Sequence, residues 1–255
     1  MHRPSPRFKR PQLRVFTTTL WEYPSQHYDS PSGSTQGSKE YAGATPSWVI
    51  WQLLQRYTRE NDLVVDPMCG SGTTLDVARD LKRRGLGYDL TPGRPDIFKA
   101  DARKLPLENE KADFVFIDPP YSTHIEYSDN PADIGKLDAA GDDGGAAYYS
   151  AMERVIAEIA RALKNRRYMA LYVSDSWRKR RGGDPGSGAG TFMPIGFEVF
   201  SLLRRHFKPV DIIAVVRQNQ KLKRGNWNKA AEEGNFYLRG FNYLFIMKKE
   251  SAAGG

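Results

Sequence analysis

The chain has 255 residues, of which 40% are hydrophobic, and its formal net charge is +8. This length suits one α/β domain with a full core, and no apolar run is long enough to span a membrane. A single cysteine excludes an intrachain disulfide, argues against a cysteine-based zinc site and predicts a reducing, cytoplasmic setting. The basic excess suggests a polyanionic partner.

The N-terminal region has no periodic pattern. Residues 1–14 are rich in arginine and proline and lack the apolar core of a signal peptide, which predicts a disordered or loosely docked basic arm. Residues 15–44 form an irregular segment that contains Trp21, Tyr23 and Tyr28. These aromatic residues either pack on the core, which is the more common case, or line a pocket for a base.

A helix follows this segment and is expected to start at Thr45-Pro46. Threonine is a favoured N-cap residue, and proline is favoured in the first helical turn. The helix has a broad apolar face formed by Trp48, Ile50, Trp51, Leu53, Leu54 and Tyr57. Residues 62–65 then predict a short apolar strand.

A glycine-rich turn follows that strand at once. The turn consists of Asp66, Pro67, Met68, Cys69, Gly70, Ser71, Gly72, Thr73 and Thr74. Its small residues let the backbone approach a ligand closely, and it leads to a predicted helix over 73–84, whose N-terminus carries free N–H groups. Cys69 is interpreted as a packing residue of the turn and not as a nucleophile, because no histidine lies nearby in sequence.

Two further short strands contain acids near their ends. Residues 86–89 predict the second strand, and Asp89 closes it about twenty residues after the glycine-rich turn, where a carboxylate can bind both hydroxyls of a ribose. Residues 96–102 predict a third strand that contains Asp101. The simpler alternative for both acids is a role as strand-end caps.

The second motif is Asp118-Pro119-Pro120-Tyr121, which follows an apolar strand over 113–117. Two consecutive prolines end the strand at the sheet edge where α/β proteins bind ligands. The Asp118 carboxylate and the Pro119 carbonyl can each accept an N–H bond from an amino group on a planar ring, so that the nitrogen lone pair turns out of conjugation. Tyr121 offers a flat face for stacking. The alternative is a strand end with Asp118 as a simple cap.

Together, the two motifs resemble those of the amino-methyltransferases that act on adenine N6 or cytosine N4. That family carries Asp-Pro-Phe-x-Gly-Ser-Gly-Thr-Thr for S-adenosylmethionine and Asp/Ser/Asn-Pro-Pro-Tyr/Phe for the target base, and Met68 replaces its usual phenylalanine here. The resemblance implies S-adenosylmethionine as cofactor, bound by residues 66–74 and by Asp89. It further implies that Thr45 and Pro46 contact the methionine part of the cofactor, and that the adenine amino group lies at Asp101-Ala102.

The remaining segments predict the rest of such a fold. The expected elements are a loop over 122–147 that closes over base and cofactor, helices over 148–163 and 196–207, and strands over 168–173, 211–216 and 241–247. We therefore expect a Rossmann-like α/β fold of the class I methyltransferase type, with a seven-stranded mixed sheet and helices on both faces. The expected organisation is an arm and irregular segment over 1–40, one methyltransferase domain over 41–249 and a tail over 250–255.

Basic residues cluster in a loop expected over 176–191 and in the excursion over 217–239 between the last two strands. These residues are Arg178, Lys179, Arg180, Arg181, Lys221, Lys223 and Arg224. Lysine and arginine side chains at such positions contact phosphates, so the clusters predict binding of nucleic acid. The alternative is an ordinary solvated loop.

The resemblance implies direct methyl transfer to an exocyclic amino group of a base in DNA, as in a restriction–modification methyltransferase. The aspartate before Pro119 favours adenine N6, since cytosine-N4 enzymes more often carry serine there. No segment is long enough for a separate recognition domain, which keeps a base in ribosomal or transfer RNA as an alternative. A further alternative is a non-catalytic nucleic-acid-binding subunit with the same fold. The recognition sequence and the oligomeric state are left open.

Overall fold

The computed structural model describes residues 10–38, 41, 43–178, 191–218 and 225–250. The strands are β1 (Leu20–Trp21), β2 (Leu63–Asp66), β3 (Arg84–Asp89), β4 (Ile97–Lys99), β5 (Ala112–Ile117), β6 (Leu163–Val173), β7 (Ser176–Arg178), β8 (Thr191–Met193), β9 (Lys208–Val216) and β10 (Phe241–Lys248). The α-helices are α1 (Ser47–Tyr57), α2 (Thr73–Asp80), α3 (Ala146–Ala162), α4 (Ile195–Leu203) and α5 (Gly225–Glu233), and short 3₁₀ helices span Ser122–His124 and Ile134–Lys136.

Eight of these strands form one sheet in the order β1-β9-β10-β6-β5-β2-β3-β4. Strand β10 runs antiparallel to both of its neighbours, and the other pairs are parallel. The predicted α/β class and mixed sheet are confirmed. One count is corrected, because the two-residue strand β1 pairs with β9 and adds an eighth strand at that edge.

Helices cover both faces of the sheet and enclose two cores. Strand β5 lies inside the sheet, and all six of its residues are buried, as its continuous apolar run requires. One core packs α3 and α4 on the sheet and includes Ile156 and Val199. The other core packs α1 and α2 on the opposite face and includes Trp48 and Val77.

The irregular N-terminal segment packs on the second of these cores. Trp21, Tyr23 and Tyr28 are all buried there. Of the two roles predicted for these aromatic residues, the structure shows the packing role. We therefore propose that the domain begins before residue 41. Residues 1–9 of the predicted arm lie outside the described part of the chain.

Several helix boundaries differ from the predictions, and one of them is the end of α4 at Leu203, where the predicted helix continues to 207. Helix α1 begins at Ser47 with Pro46 as the N-cap residue, and no side chain caps it. Thr45 is therefore not the N-cap. Helix α2 ends at Asp80, where the predicted helix continues to 84, because the backbone of Lys82 has a φ of +58° and cannot continue a right-handed helix. In the described residues, no helix is long and apolar enough to cross a membrane.

The carboxyl ends of the parallel strands meet at one edge of the sheet. Strand β2 pairs with β3 on one side and with β5 on the other, so the chain changes direction across the sheet at this point. Such a switch point is where open α/β sheets bind ligands. The residues at this edge are Asp66, Asp89 and Asp118, which end or follow the three strands.

Candidate active site

The glycine-rich turn between β2 and α2 depends on glycine at two positions. Gly70 and Gly72 have φ angles of +49° and +81°, in the left-handed region that glycine adopts without steric cost. A Cβ atom on Gly72 would lie 2.3 Å from Nη1 of Arg94. That same nitrogen donates to the carbonyl of Ser71 at 3.1 Å and to the carboxylate of Asp76 at 2.8 Å. Arg94 thus holds the turn against the start of α2.

The Asp66 side chain accepts hydrogen bonds from two groups of this turn. Its Oδ1 atom accepts the backbone N–H of Met68 at 3.1 Å, and its Oδ2 atom accepts the hydroxyl of Thr74 at 2.5 Å. Burial raises the pKa of Asp66 to about 7, because a carboxylate loses its hydration in the protein interior. The carboxyl group therefore links the end of β2 to the first turn of α2.

Cys69 packs below the turn. Its side chain is buried with Leu75 and Ile97, and a Cβ atom on Gly87 would lie only 2.6 Å from its Sγ atom. Burial raises the pKa of the thiol, which keeps it protonated. The predicted packing role is confirmed.

Asp89 is attached to the glycine-rich turn. Its Oδ2 atom accepts the N–H of Gly70 at 2.9 Å, and its Oδ1 atom accepts the N–H of Thr91 at 2.9 Å. Asp101 lies at the same edge, but its carboxylate is ion-paired with Arg103 at 2.6 Å. Asp89 is therefore held by two backbone N–H groups, whereas Asp101 is engaged by a charged side chain.

Asp118 is held by two hydroxyl groups from different parts of the chain. The Tyr121 hydroxyl donates to Oδ1 at 2.7 Å, and the Thr45 hydroxyl donates to Oδ2. Burial raises the pKa of Asp118 to about 7, and the two hydroxyl bonds act against that rise. Thr45, which sequence reasoning placed at a helix start, is thus a partner of the predicted catalytic acid.

The rest of this motif is anchored to α3. The carbonyl of Pro120 accepts the hydroxyl of Tyr148 at 2.7 Å. Pro119 is buried, and the half-buried ring of Tyr121 packs against the core on that side of the sheet. The hydroxyl bond from Tyr121 to Asp118 is a role that the sequence did not suggest. Stacking of a base on the Tyr121 ring stays a prediction.

A cleft of two adjoining parts joins these groups, with about 690 and 380 Å³ of empty space. The predicted residues in the larger part are Pro67, Met68, Asp89, Asp101, Ala102, Asp118 and Pro120. Those in the smaller part are Thr45, Asp66, Met68, Cys69, Gly70, Ser71, Thr73, Thr74 and Asp118. Asp118 faces both parts, so the two motifs meet there.

Sequence reasoning missed two aromatic residues of the cleft. Tyr41 and Tyr127 line both parts, and their rings stack with centroids 6.3 Å apart. A Cβ atom on Gly70 would lie 2.8 Å from the ring of Tyr41. Neither residue belongs to a motif. Only the prediction that the 122–147 loop closes over the cleft pointed to Tyr127, and Ser128 and Asp133 from that loop line the cleft too.

The predicted basic clusters are not brought to the cleft by any described contact. Arg178 ends strand β7. Its side chain is outside the described part of the structure, as are Lys179, Arg180, Arg181, Lys221, Lys223 and Arg224. Their binding to nucleic acid therefore stays a prediction.

Comparison with protein families gives a match over part of the chain. A family model described as DNA methylase, of the N6/N4 methyltransferase type, matches residues 4–100. That range includes the glycine-rich turn and Asp89, and it ends before the motif at 118–121. The match thus covers the part of the chain that is predicted to bind the cofactor.

Two curated bacterial enzymes are similar over part of their length. The type II methyltransferase M2.DpnII of Streptococcus pneumoniae is 36% identical over 80 residues, which cover 30% of this chain and 29% of that enzyme. The type II methyltransferase M.HpaI of Haemophilus parainfluenzae is 29% identical over 73 residues, which cover 29% of this chain and 22% of that enzyme. The similar region thus spans less than a third of either relative.

A solved structure shares the fold over most of the chain. The [4+2]-cyclase SpnF superposes with a TM-score of 0.50 at 15% sequence identity, over 85% of this chain and 88% of that protein. At this identity the likeness concerns the fold alone.

Proposed function

We propose that this chain, which belongs to the S-adenosylmethionine-dependent amino-methyltransferase family, methylates an exocyclic amino group of a base in DNA. S-adenosylmethionine is the cofactor of that family. The observation that carries the proposal is the convergence of the glycine-rich turn, Asp89 and Asp118 on one cleft. The type II relatives support DNA as the substrate.

The residues of the cleft fit this cofactor. Gly70 brings the backbone of the turn to the cleft, and the N-terminus of α2 adds free N–H groups for a carboxylate. Asp89 is held by two backbone N–H groups and keeps lone pairs for ribose hydroxyls. When bound, S-adenosylmethionine supplies an electrophilic methyl group on a sulfonium centre. We assign Asp89 to its ribose and the 66–74 turn to its methionine part.

Asp118 prepares the amino group for attack. The target nitrogen is a poor nucleophile, because its lone pair is delocalised into the ring of the base. Each carboxylate oxygen of Asp118 accepts one hydroxyl, from Tyr121 or from Thr45, and retains capacity for an N–H donor. We assign one amino hydrogen to Asp118 and the other to the Pro119 carbonyl. Positioning and desolvation then carry the rate, and no covalent intermediate on Cys69 is needed.

Within this reading we favour adenine N6 over cytosine N4, because an aspartate precedes the two prolines. A target inside a duplex has to leave the base stack to reach Asp118. Ribosomal or transfer RNA is the rival substrate, because an unpaired base in RNA offers the same amino group.

The test is methyl transfer from labelled S-adenosylmethionine to duplex DNA, single-stranded DNA and ribosomal RNA, each digested to nucleosides. We expect label in N6-methyladenine from DNA. Asp118→Asn is the matched control, because it keeps the size of the side chain. If no nucleic acid is labelled above that control while calorimetry shows cofactor binding, the proposal is wrong and the non-catalytic subunit is favoured. Label in ribosomal RNA alone would identify the rival substrate.

A further inference from the structure

The C-terminal part of the chain adds aromatic side chains to the edge of the sheet that carries Asp118. Strand β6 lies beside β5, with Leu171 opposite Ile117, and β10 lies beside β6, with Tyr243 opposite Val173. Neighbouring strands are about 4.8 Å apart, so the start of β10 lies roughly two strand widths from Asp118. The hairpin of β7 and β8 begins three residues after β6 and extends from the same edge.

Five side chains define what we name the C-terminal aromatic surface: Trp177, Phe192, Phe197, Arg239 and Phe241. The rings of Trp177 and Phe192 pair across the hairpin at 5.4 Å, and the guanidinium of Arg239 lies 5.2 Å from the centre of the Phe192 ring. Phe197 and Phe241 both contact the ring of Tyr243, at 5.8 and 5.1 Å. The rings thus form two groups, with Arg239 next to one of them and Phe241 in the other.

The rings of this surface remain open to solvent after packing. Phe192, Phe197 and Phe241 are 40%, 64% and 41% exposed. A core role accounts for buried rings, but it does not account for three large apolar side chains left exposed at the functional edge. Each ring presents a face or edge on which a flat ligand can lie.

Two arginines, Arg217 and Arg239, lie beside the rings of this surface. Arg217 follows the carboxyl end of β9, and its Nε atom donates to the side chain of Asn242 at 2.6 Å. The Nε atom of Arg239 is buried and has no hydrogen-bond partner among the described residues. The nearby carboxylate of Asp175 is buried and accepts the N–H of Gly196 and the hydroxyl of Tyr243. Exposed rings beside arginines match the bases and phosphates of an unstacked nucleic-acid strand.

We propose that the C-terminal aromatic surface binds the unstacked nucleotides that flank the target base in a DNA strand. Phe192, Phe197 and Phe241 stack on bases, and Arg239 contacts the strand beside Phe192. This inference rests on the proposed function, because a base that enters the cleft at Asp118 leaves its neighbours without a stacking partner. The surface replaces part of the stacking that they lose.

The test is the affinity for a fluorescent single-stranded oligodeoxynucleotide, measured by anisotropy over a series of salt concentrations. Phe192→Leu and Phe241→Leu keep an apolar side chain and remove the flat ring. We expect each to raise the dissociation constant about fivefold or more, near the lower end of what loss of a base-stacking aromatic produces. Arg239→Ala should in addition lower the slope of log affinity against log salt by about 0.7, the value for one contact to a single strand.

Matched control variants lie away from this surface. Phe98→Leu removes a ring that is 57% exposed on β4, at the other end of the sheet, and Arg84→Ala removes an arginine at the start of β3. Both controls should bind the oligonucleotide like the parent. Cofactor calorimetry and thermal melting check that every variant is folded.

Parental affinity in both Phe192→Leu and Phe241→Leu would overturn the inference, and so would an equal loss in Phe98→Leu. Parental affinity is also the result expected if the surface docks a protein. A parent chain that binds the oligonucleotide but transfers no methyl group contradicts only the proposed function. The two failures are therefore distinguishable.

Discussion

Two strand-end turns of this chain contain the same residue types, but their aspartates have hydrogen-bond partners in different parts of the chain. Strands β2 and β5 lie side by side, and each is followed or ended by an aspartate and then a proline. Burial raises the pKa of both Asp66 and Asp118 to about 7, and each carboxyl group accepts a threonine hydroxyl. The difference lies in where the partners come from.

The partners of Asp66 belong to its own turn, whereas one partner of Asp118 comes from a remote segment. Met68 and Thr74 lie two and eight residues from Asp66. Thr45 lies 73 residues from Asp118. A carboxyl group bonded within its own turn sets the shape of that turn. A carboxyl group that joins remote segments and faces both parts of the cleft is placed to act on a ligand.

The largest effect is expected from Asp118→Asn. Asparagine keeps the size and one acceptor but loses the charge, and its NH₂ group opposes the amino group of the substrate. Methyl transfer should fall by about 10²-fold or more, with cofactor affinity within a few-fold of the parent. Single-turnover transfer and calorimetry measure the two quantities separately. If the variant transfers methyl at the parental rate, Asp118 is only a strand cap and the active site lies elsewhere.

The pH dependence should follow the ionisation of Asp118. Because its pKa is raised to about 7, the carboxyl group is protonated below that pH. A protonated carboxyl group has fewer free lone pairs than a carboxylate, so it cannot accept both a hydroxyl and an amino hydrogen. kcat/KM should therefore fall about tenfold per pH unit below the pKa and level off above it. Residual transfer by Asp118→Asn should lack this limb. A flat parental profile between pH 5 and 8 would contradict a raised pKa of Asp118. That pH range is about the one in which proteins stay most stable.

Asp66→Asn should separate cofactor binding from catalysis. Its side chain cannot accept both the Met68 N–H and the Thr74 hydroxyl as the carboxyl group does, because one end becomes a donor. We expect a lower melting temperature and a cofactor dissociation constant raised by about tenfold, the effect of one lost charged hydrogen bond. Transfer at saturating cofactor should stay within a few-fold. If the rate falls as in Asp118→Asn, the two turns do not differ in role.

Thr45→Val should give the smallest effect. Valine has the shape of threonine but no hydroxyl, so Asp118 loses a bond that favours its charged form. We expect kcat to fall by a few-fold and the acid limb of the pH profile to move to higher pH, with Thr45→Ser restoring both. If the pH profile is unchanged and the cofactor affinity is weakened, Thr45 binds the cofactor and does not act on Asp118.

The same contrast explains how far sequence reasoning reached. The turn at 66–74 was predictable, because its bonds join residues close in sequence and its glycines are demanded by the backbone. The hydroxyls of Thr45 and Tyr121 on Asp118 were not predicted. A threonine before a proline has the pattern of an N-cap. That pattern does not indicate a hydrogen bond to an aspartate at the end of a strand far along the chain.

The sequence by itself determined seven strands of the main sheet, the order of the two motifs and the acids at the strand ends, because apolar runs, prolines and glycines act through local backbone geometry. Only the tertiary structure decided the eighth strand at Leu20–Trp21, the stacked pair of Tyr41 and Tyr127, and the hydrogen bond from Thr45 to Asp118. Each of these depends on contacts between segments far apart in the chain. Such contacts are set by how the sheet and its loops pack, so a local sequence pattern does not predict them.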